Sequence, residues 1–468
     1  MPRRFHISVT QARPRHRVVG KLGIIDWRED CASCHNCVKH GCVYGFWNDE
    51  ADRLRNENGY LDYIYQCKGC LTCIQNCTKG LLSRVRNPEY DRLGDEHYSP
   101  DTILTTWYQA ETGKIPVSGS GYGGPFSGSG FDGMWTDMSE IVRPTRDGIH
   151  GREYINTGVD IGRKLKHLRF ENGGLAVEPP PLVESPLPVM FDVLPGHQQR
   201  GAVLTAVAAA AAAMGIFAVV RQRDLAAVAA VASGHVVPLL ETTPTHGSEI
   251  DHAPLVLLRE SPNVTRVARE LRQRSRNQVV SVRVQVDAGA TERVRRLVRE
   301  GAEAIHLVFD AHGQERVEKR PRHMRDVLRE IHGALVKDGT RDETTLVASG
   351  GIALAEHVVK ALLCGADLVA VDLPLLIALE CRLCQQCATG GRCPVALEDA
   401  DLDYATQRIV NLMGAWHSQI IEMMGAMGIR EARRLRGETG RAMFFEDLER
   451  NTFGRLFGNR ARQNGAGA

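Results

Sequence analysis

Thirteen cysteines stand in this chain, and twelve of them fall into three tight groups. The first is Cys31, Cys34, Cys37 and Cys42; the second is Cys67, Cys70, Cys73 and Cys77; the third is Cys381, Cys384, Cys387 and Cys393, followed by Pro394. Thiols grouped this way ligate metal, and they suit a reducing cytoplasm rather than a disulfide framework. In the first two groups, three cysteines set three apart wrap three corners of a cubane. A fourth, further on, can ligate the neighbouring cluster. That logic assigns Cys31, Cys34, Cys37 and Cys77 to one [4Fe–4S] centre, and Cys67, Cys70, Cys73 and Cys42 to a second. Zinc is the rival occupant, but zinc sites use paired C-x2-C units rather than triplets. Two details depart from the bacterial ferredoxin run: four residues precede Cys42, and Val43 and Thr78 stand where prolines are usual. Neither removes a ligand. Cys364, the thirteenth, lies on the apolar face of an expected helix and reads as a buried small residue.

The third group follows a stretch that could hold phosphate. Thr345–Ala348 is a short apolar run ending in Ser349, Gly350 and Gly351. Leu354, Val358, Val359, Leu362 and Leu363 then fall on one helical face, and Leu368–Val371 is a second apolar run. Strand, Gly-Gly turn, helix, strand is the end of a parallel β/α unit. Glycines at a strand's C-terminal end let backbone N–H groups approach a phosphate, and the next helix adds its positive end. A phosphate cradle beside a cluster loop suggests a flavin wired to an iron–sulfur centre.

The elements that must position these groups recur upstream. Strand candidates are Val189–Val193, Ile216–Val220, Val236–Leu240, Leu255–Leu258, Val279–Val286, Ala304–Val308, Thr345–Ala348 and Leu368–Val371. Helical stretches such as Thr291–Glu300 separate most of them, which predicts an α/β fold, a (β/α)8 TIM-type barrel. The connections between the second and fourth strands are too short for full helices. The organisation expected is a basic tail (1–20), a ferredoxin-like two-cluster module (21–90) and an irregular Gly/Pro-rich arm (91–186). The arm packs on the barrel through Phe126, Phe131, Trp135, Met138 and Ile141. The barrel (187–373), the third cysteine loop (374–400), C-terminal helices (401–458) and a disordered tail (459–468) complete it. Ile409, Met413, Trp416, Ile420, Met423, Met424 and Met427 recur at helical spacing and read as core packing.

A net charge of +2 gives no drive toward nucleic acid or an acidic membrane. Gly201–Val220 is uncharged and reaches the roughly 20 residues that span a bilayer. Gly215 divides it, however, into a helix and a buried strand, so it belongs to the barrel and no membrane span is expected. The start, MPRRFHISVT, has paired arginines but no apolar region behind them. It reads as a solvated tail, not an export signal.

Three segments resemble one family. SGGIALAEHVVKALLCGAD with its cysteine loop resembles the end of the flavin-binding barrel of glutamate synthases. Val117–Lys164 is similar to the segment preceding that barrel in the short, archaeal-type enzymes, which carry a ferredoxin-like insert. Gly428–Glu449, GIREARRLRGETGRAMFFEDLE, is similar to their tail. In that family electrons pass through iron–sulfur centres to FMN, which reduces an imine of 2-oxoglutarate and ammonia. A glutaminase unit with an N-terminal cysteine nucleophile supplies the ammonia. The resemblance implies FMN held by Ser349, Gly350 and Gly351, with Arg283 as the catalytic side chain near flavin and substrate. This chain begins Met1-Pro2, so the expected partners are glutaminase-type or reductase subunits, or ferredoxin, in a hetero-oligomer.

The residues also depart from the family's pattern. Its fifth strand carries a lysine where Val280–Val284 has Arg283, which is not equivalent in shape or as a proton donor. Phe309–Gly313 replaces a Gly-rich segment, and only Val231–Gly234 survives of the approach to a long Gly-rich loop. Asp372 stands where a glycine usually meets the phosphate, and a carboxylate repels a dianion. Two readings therefore stay open: a glutamate synthase-type flavoenzyme subunit, or a barrel that has lost FMN and serves as an electron-relay or scaffold subunit.

The family's third centre is commonly [3Fe–4S], and its pattern supplies three cysteines. Cys384 adds a fourth between Cys381 and Cys387 and can cap the open corner, giving [4Fe–4S]. The Cys384→Ser protein should therefore change its cluster spectrum toward a three-iron signature. An electron paramagnetic resonance spectrum identical to the parent's would refute that ligation.

Overall fold

The computed structural model describes residues 5–16, 19, 23–27, 70–118, 121–124, 128, 130–137, 155–165, 167–176, 178–195, 201–241 and 247–457. Two compact units are present: Met1–Ala12, Glu96–Cys381 and Gln385–Ala468 form one, Arg13–Asp95 with Arg382–Cys384 the other.

The first unit opens with helix α1, Pro100–Thr112, inside the arm expected to be irregular. Its signals are local. The Ser99 side chain accepts the N–H of Thr102, Pro100 occupies the first turn, and Gly113 ends the helix at φ 66°. Its buried face includes Thr102, Thr105, Thr106 and Gln109, residues that a search for apolar periodicity passes over. Of the expected arm anchors, Phe131 is buried, but Trp135 is 46% exposed and Met134 is buried in its place. Phe126, Met138 and Ile141 lie outside the described residues.

Eight parallel strands close into a barrel in sequence order. They are β1 Val189–Phe191, β2 Ala218–Arg221, β3 Val236–Leu240, β4 Leu255–Arg259, β5 Val279–Gln285, β6 Ala304–Val308, β7 Thr345–Ser349 and β8 Leu368–Val371. The first pairs with the last, Val189 opposite Val369 and Phe191 opposite Val371. Strands buried on both faces read as near-continuous apolar runs, which is why each lies within two residues of its expected place. Helices α2 Gly201–Met214, α3 Val264–Arg274, α4 Ala290–Arg299, α5 Met324–Lys337 and α6 Ala355–Leu363 follow β1, β4, β5, β6 and β7. After β2 and β3 there is room only for Leu225–Val228 and Ser248–Asp251, four residues each. The uncharged stretch at Gly201 is thus α2 and β2. No helix among the described residues is long and apolar enough to cross a membrane.

Beyond β8 come the short helix α7, Leu373–Ala378, and the long α8, Leu402–Ala426. Asp401 caps α8, and Ile409, Met413, Trp416, Ile420 and Met424 are buried along it, as the methionine stripe predicts. Asn411, fully buried in α8, donates to the carbonyls of Thr10, Ala110 and Glu111 and accepts the N–H of Thr10. Residues 5–12, expected as part of a solvated tail, are therefore tied to α8 by the Asn411 side chain at Thr10 and to α1 by the Ala12 N–H on Glu111 O. The tail from Asn459 lies outside the described residues. In the second unit, Gly23–Trp27 pairs antiparallel with Leu82–Arg86, and Thr72–Gln75 is a single helical turn.

Gly365, just before β8, takes φ 119°, and a Cβ there would lie 2.5 Å from the Cβ of His332. Backbone strain of about 1–2 kcal/mol adds to overpacking of about 1–3 kcal/mol. Gly365→Ala should lose about 2–5 kcal/mol in urea denaturation. A loss below about 1 kcal/mol would show that the turn relaxes freely.

Candidate active site and cysteine loops

β1 and β5 lie half-way round the eight-strand ring from one another, and an ion pair joins them through the barrel. Asp192, one residue past β1, receives both arms of Arg283 from β5: Nη1 to Oδ1 at 2.6 Å and Nη2 to Oδ2 at 3.0 Å. His306 on β6 completes the group, its Nε2 3.5 Å from Asp192 Oδ2 and 3.4 Å from Arg283 Nη1. All three are buried or nearly so. Burial opposes ionisation of Asp192, but the charges of Arg283 and His306 more than reverse it and hold the carboxyl well below the usual range. Burial lowers His306 in turn, despite Asp192 beside it. Arg283 is thus the strand-borne cation expected, but its fork is spent on Asp192.

The turn after β7 is tightly packed. Gly350 and Gly351 take φ 96° and 67°. A Cβ on Gly350 would lie 2.3 Å from the Asp310 carbonyl, and one on Gly351 2.2 Å from the Gly313 nitrogen. Both glycines therefore let β7 pass close to the Phe309–Gly313 loop. The Ser349 hydroxyl points at the Leu307 carbonyl, 3.4 Å away, and His97 Nε2 donates to Gly351 O at 2.8 Å. Asp372 follows β8 and accepts the N–H of Leu373, capping α7. Burial, then repulsion from Asp192, lifts its carboxyl from 3.8 to about 6.

Sequence reasoning missed a set of histidines that the fold collects. Phe131 packs between His323 and His357, with ring centroids 4.8 and 5.0 Å away, and His97 stands 6.4 Å from His357. Each of His323 and His357 accepts a backbone N–H at Nδ1, so Nε2 carries the proton; those Nε2 atoms are buried without a partner. Beside them, Lys360 donates to Phe131 O and lies 3.6 Å from Glu356, which burial raises to about 7. Positions 97, 323 and 357 share no motif in the chain, so no local signal marked them.

Ser349, Gly350 and Gly351 at the end of β7 are the residues that would hold an FMN phosphate, and Asp372 after the neighbouring β8 places a carboxyl beside that end of the barrel while it accepts the Leu373 N–H.

The cysteine loops have a backbone suited to clusters. Around Cys381, Cys384 and Cys387, three non-glycine residues are left-handed: Glu380 (φ 76°), Leu383 (φ 49°) and Gln385 (φ 57°). Leu71, between Cys70 and Cys73, does the same at φ 63°. Such residues are uncommon and cost about 1–3 kcal/mol each. Alternating right- and left-handed residues turn successive N–H groups into the concavities that surround iron–sulfur sites. The Leu81 N–H already reaches Cys77 Sγ at 3.3 Å, and the Thr72 hydroxyl reaches Cys70 Sγ at the same distance. Those bonds lower both thiols. Among the described residues, no three Cys, His, Asp or Glu side chains converge as metal ligands. Cys31, Cys34, Cys37, Cys42 and Cys67 lie outside the described residues.

Residues 252–430 match the family described as the conserved region in glutamate synthase. Over most of its length the chain is similar to the archaeal-type glutamate synthase (NADPH) of Dehalococcoides mccartyi, 25% identical over 88% of this chain and 93% of that one. The enzyme of the same description from Thermotoga maritima is 26% identical over 87% and 91%. Among solved structures, a mandelate oxidase with benzoyl-formic acid is similar at 17% identity and a TM-score of 0.39, covering 65% of this chain and 97% of that one.

The raised Asp372 carboxyl has a pH consequence. The native state binds its proton more tightly than the unfolded chain does. The stability linked to that proton is present below pH about 4 and is lost as the pH climbs through about 6. Asp372→Asn keeps a capping side chain and needs no proton. In urea denaturation the variant should match the parent near pH 4 and exceed it near pH 7.5 by up to about 3 kcal/mol. A difference that does not change with pH would show that Asp372 is not held protonated.

Proposed function

We propose that this chain, glutamate synthase-like along most of its length, is the iron–sulfur electron-transfer subunit of a glutamate synthase-type oxidoreductase. The observation that carries this reading is the Arg283–Asp192 pair, because it spends on the protein itself the cation that would otherwise face a flavin. In this reading Cys31, Cys34, Cys37 and Cys77 hold one [4Fe–4S] cluster, and Cys67, Cys70, Cys73 and Cys42 a second. Cys381, Cys384, Cys387 and Cys393 hold a third. Such clusters supply one-electron transfer at potentials set by net charge, hydrogen bonds to sulfur and solvent exposure.

The chain's own residues do the rest. Left-handed Glu380, Leu383 and Gln385 give this loop the kind of backbone that forms N–H concavities around anionic clusters. α7 anchors the loop's entry, through the Cys381 N–H bonded to Leu376 O. A reductase or ferredoxin then stands on the donor side, and a flavin-bearing partner subunit of the larger redox complex accepts the electrons. The NADPH in the relatives' names favours a reductase as donor.

A second reading rests on the surviving Ser349-Gly350-Gly351 turn at the end of β7. There the chain is itself the flavoenzyme, with FMN on that turn and Arg283 catalytic. Anaerobic purification separates the two: the protein is denatured, and the supernatant is assayed for FMN while iron is counted. The relay reading expects about twelve iron atoms per chain and only traces of FMN, which added FMN does not restore. One FMN per chain, bleached by reduced ferredoxin, would overturn it in favour of the flavoenzyme.

A further inference from the structure

We propose that a cavity at the N-terminal end of the barrel is an anion site. It takes a metabolite-sized ligand carrying a carboxylate or phosphate group, held by Lys164, Arg433 and Arg436.

The cavity has a volume of about 450 Å3, within the range of small-molecule sites. Asp160 and Lys164 reach it from the arm, and Arg433 and Arg436 from the segment after α8. Asp342 and Asp367 come from just before β7 and β8. Two of the segments that resemble the family, Val117–Lys164 and Gly428–Glu449, thus meet the barrel here. The Gly162 N–H bonds to the side chain of Thr345, the first residue of β7. The cavity therefore lies opposite the C-terminal mouth, where barrel enzymes carry out their chemistry. A ligand there joins three separate stretches of the chain and acts on their stability, not as the substrate.

Charge identifies the ligand's class. Asp160 accepts Nε and Nη2 of Arg433 at 2.9 and 2.7 Å and lies 2.9 Å from Lys164 Nζ. Asp367 accepts Nη2 of the buried Arg341 at 2.8 Å and the Leu346 N–H at 2.7 Å, while Arg436 Nη1 reaches it only at 3.4 Å. These two carboxylates are thus already answered. Arg436 turns its Nη2 to Asp342 at 2.6 Å, and Arg433 adds a contact to Glu184 at 3.2 Å. Asp342 and Glu184 are 77% and 70% exposed, against 24% for Arg436 and 27% for Arg433. Ion pairs with acids so exposed are screened by water and contribute little. Four cations, Lys164, Arg341, Arg433 and Arg436, therefore share two carboxylates held as deeply as they are. Donors are also spare: Arg433 Nη1 has no protein partner, and Lys164 Nζ has only Asp160. Guanidinium forks match the oxygens of carboxylate and phosphate. An anion entering the cavity takes up these donors and releases Asp342 and Glu184 to water.

Calorimetric titration of the full-length protein in low-chloride buffer tests this, with succinate and inorganic pyrophosphate as separate probes. Binding of succinate alone marks a carboxylate ligand and binding of pyrophosphate alone a phosphate ligand; either supports the site. Arg436→Gln and Lys164→Gln should each weaken binding by about tenfold or more, the loss of a charge-assisted hydrogen bond. Asp342→Asn removes the acid that competes for Arg436 and should tighten it. Arg266→Gln, on α3 where the partner is Glu270, should leave it unchanged. No heat from either probe at millimolar concentration would overturn the site. So would an affinity equal to the parent's in Arg436→Gln and Lys164→Gln, which would mark adventitious binding only. Weaker binding in Asp342→Asn would overturn it too, since that acid would then hold the ligand. Should Arg436→Gln fail to fold, opposite shifts in Lys164→Gln and Asp342→Asn support the site, and their absence refutes it.

Discussion

The bidentate pair between Asp192 and Arg283 is the constraint around which the barrel is built. Both charges have left water, and neither is tolerable alone, since removing one partner of such a pair typically costs about 3–5 kcal/mol. Asp192 follows β1 and Arg283 lies on β5, half the ring apart, so the pair ties opposite sides of the barrel together. His306 closes the group, its ring lowered by burial despite the attraction of Asp192 beside it. Two of the five guanidinium N–H groups are engaged by Asp192, and Asp372 adds a second carboxyl whose ionisation Asp192 opposes.

The packed turn after β7 follows the same logic. Gly350 and Gly351 look from sequence like a phosphate cradle, and their positive φ values are what a cradle needs. In the fold, that freedom is used to bring β7 against the Asp310 and Gly313 backbone. One backbone conformation can serve close packing or ligand approach, and the chain pattern alone does not tell them apart. A barrel hosts many chemistries, so the site has to decide the function.

Much of the architecture was legible because burial writes itself into short apolar runs. Val279–Gln285 and Leu255–Arg259 read as strands for that reason, and the scant sequence after β2 and β3 foretold their missing helices. Helix α1 was not legible, because threonines and a glutamine form much of its buried face, although Ser99, Pro100 and Gly113 marked its ends. The docking of residues 5–12 escaped notice because it depends on Asn411, some 400 positions later. Site residues divide in the same way. Cysteine spacing is local and can be read; the partner that neutralises Arg283 is 91 positions away. The histidines around Phe131 come from three separate elements.

Left-handed Glu380, Leu383 and Gln385 form a costly run of backbone for residues that have a Cβ, and strain of that kind persists only where its surroundings over-determine it. Here the surroundings are α7, whose last turn receives the Cys381 N–H, and the buried length of α8. A loop that merely linked two helices would have relaxed to ordinary φ values at no cost to either. Two costs therefore meet in this unit: a buried ion pair across the barrel, and left-handed backbone at Glu380 and Gln385.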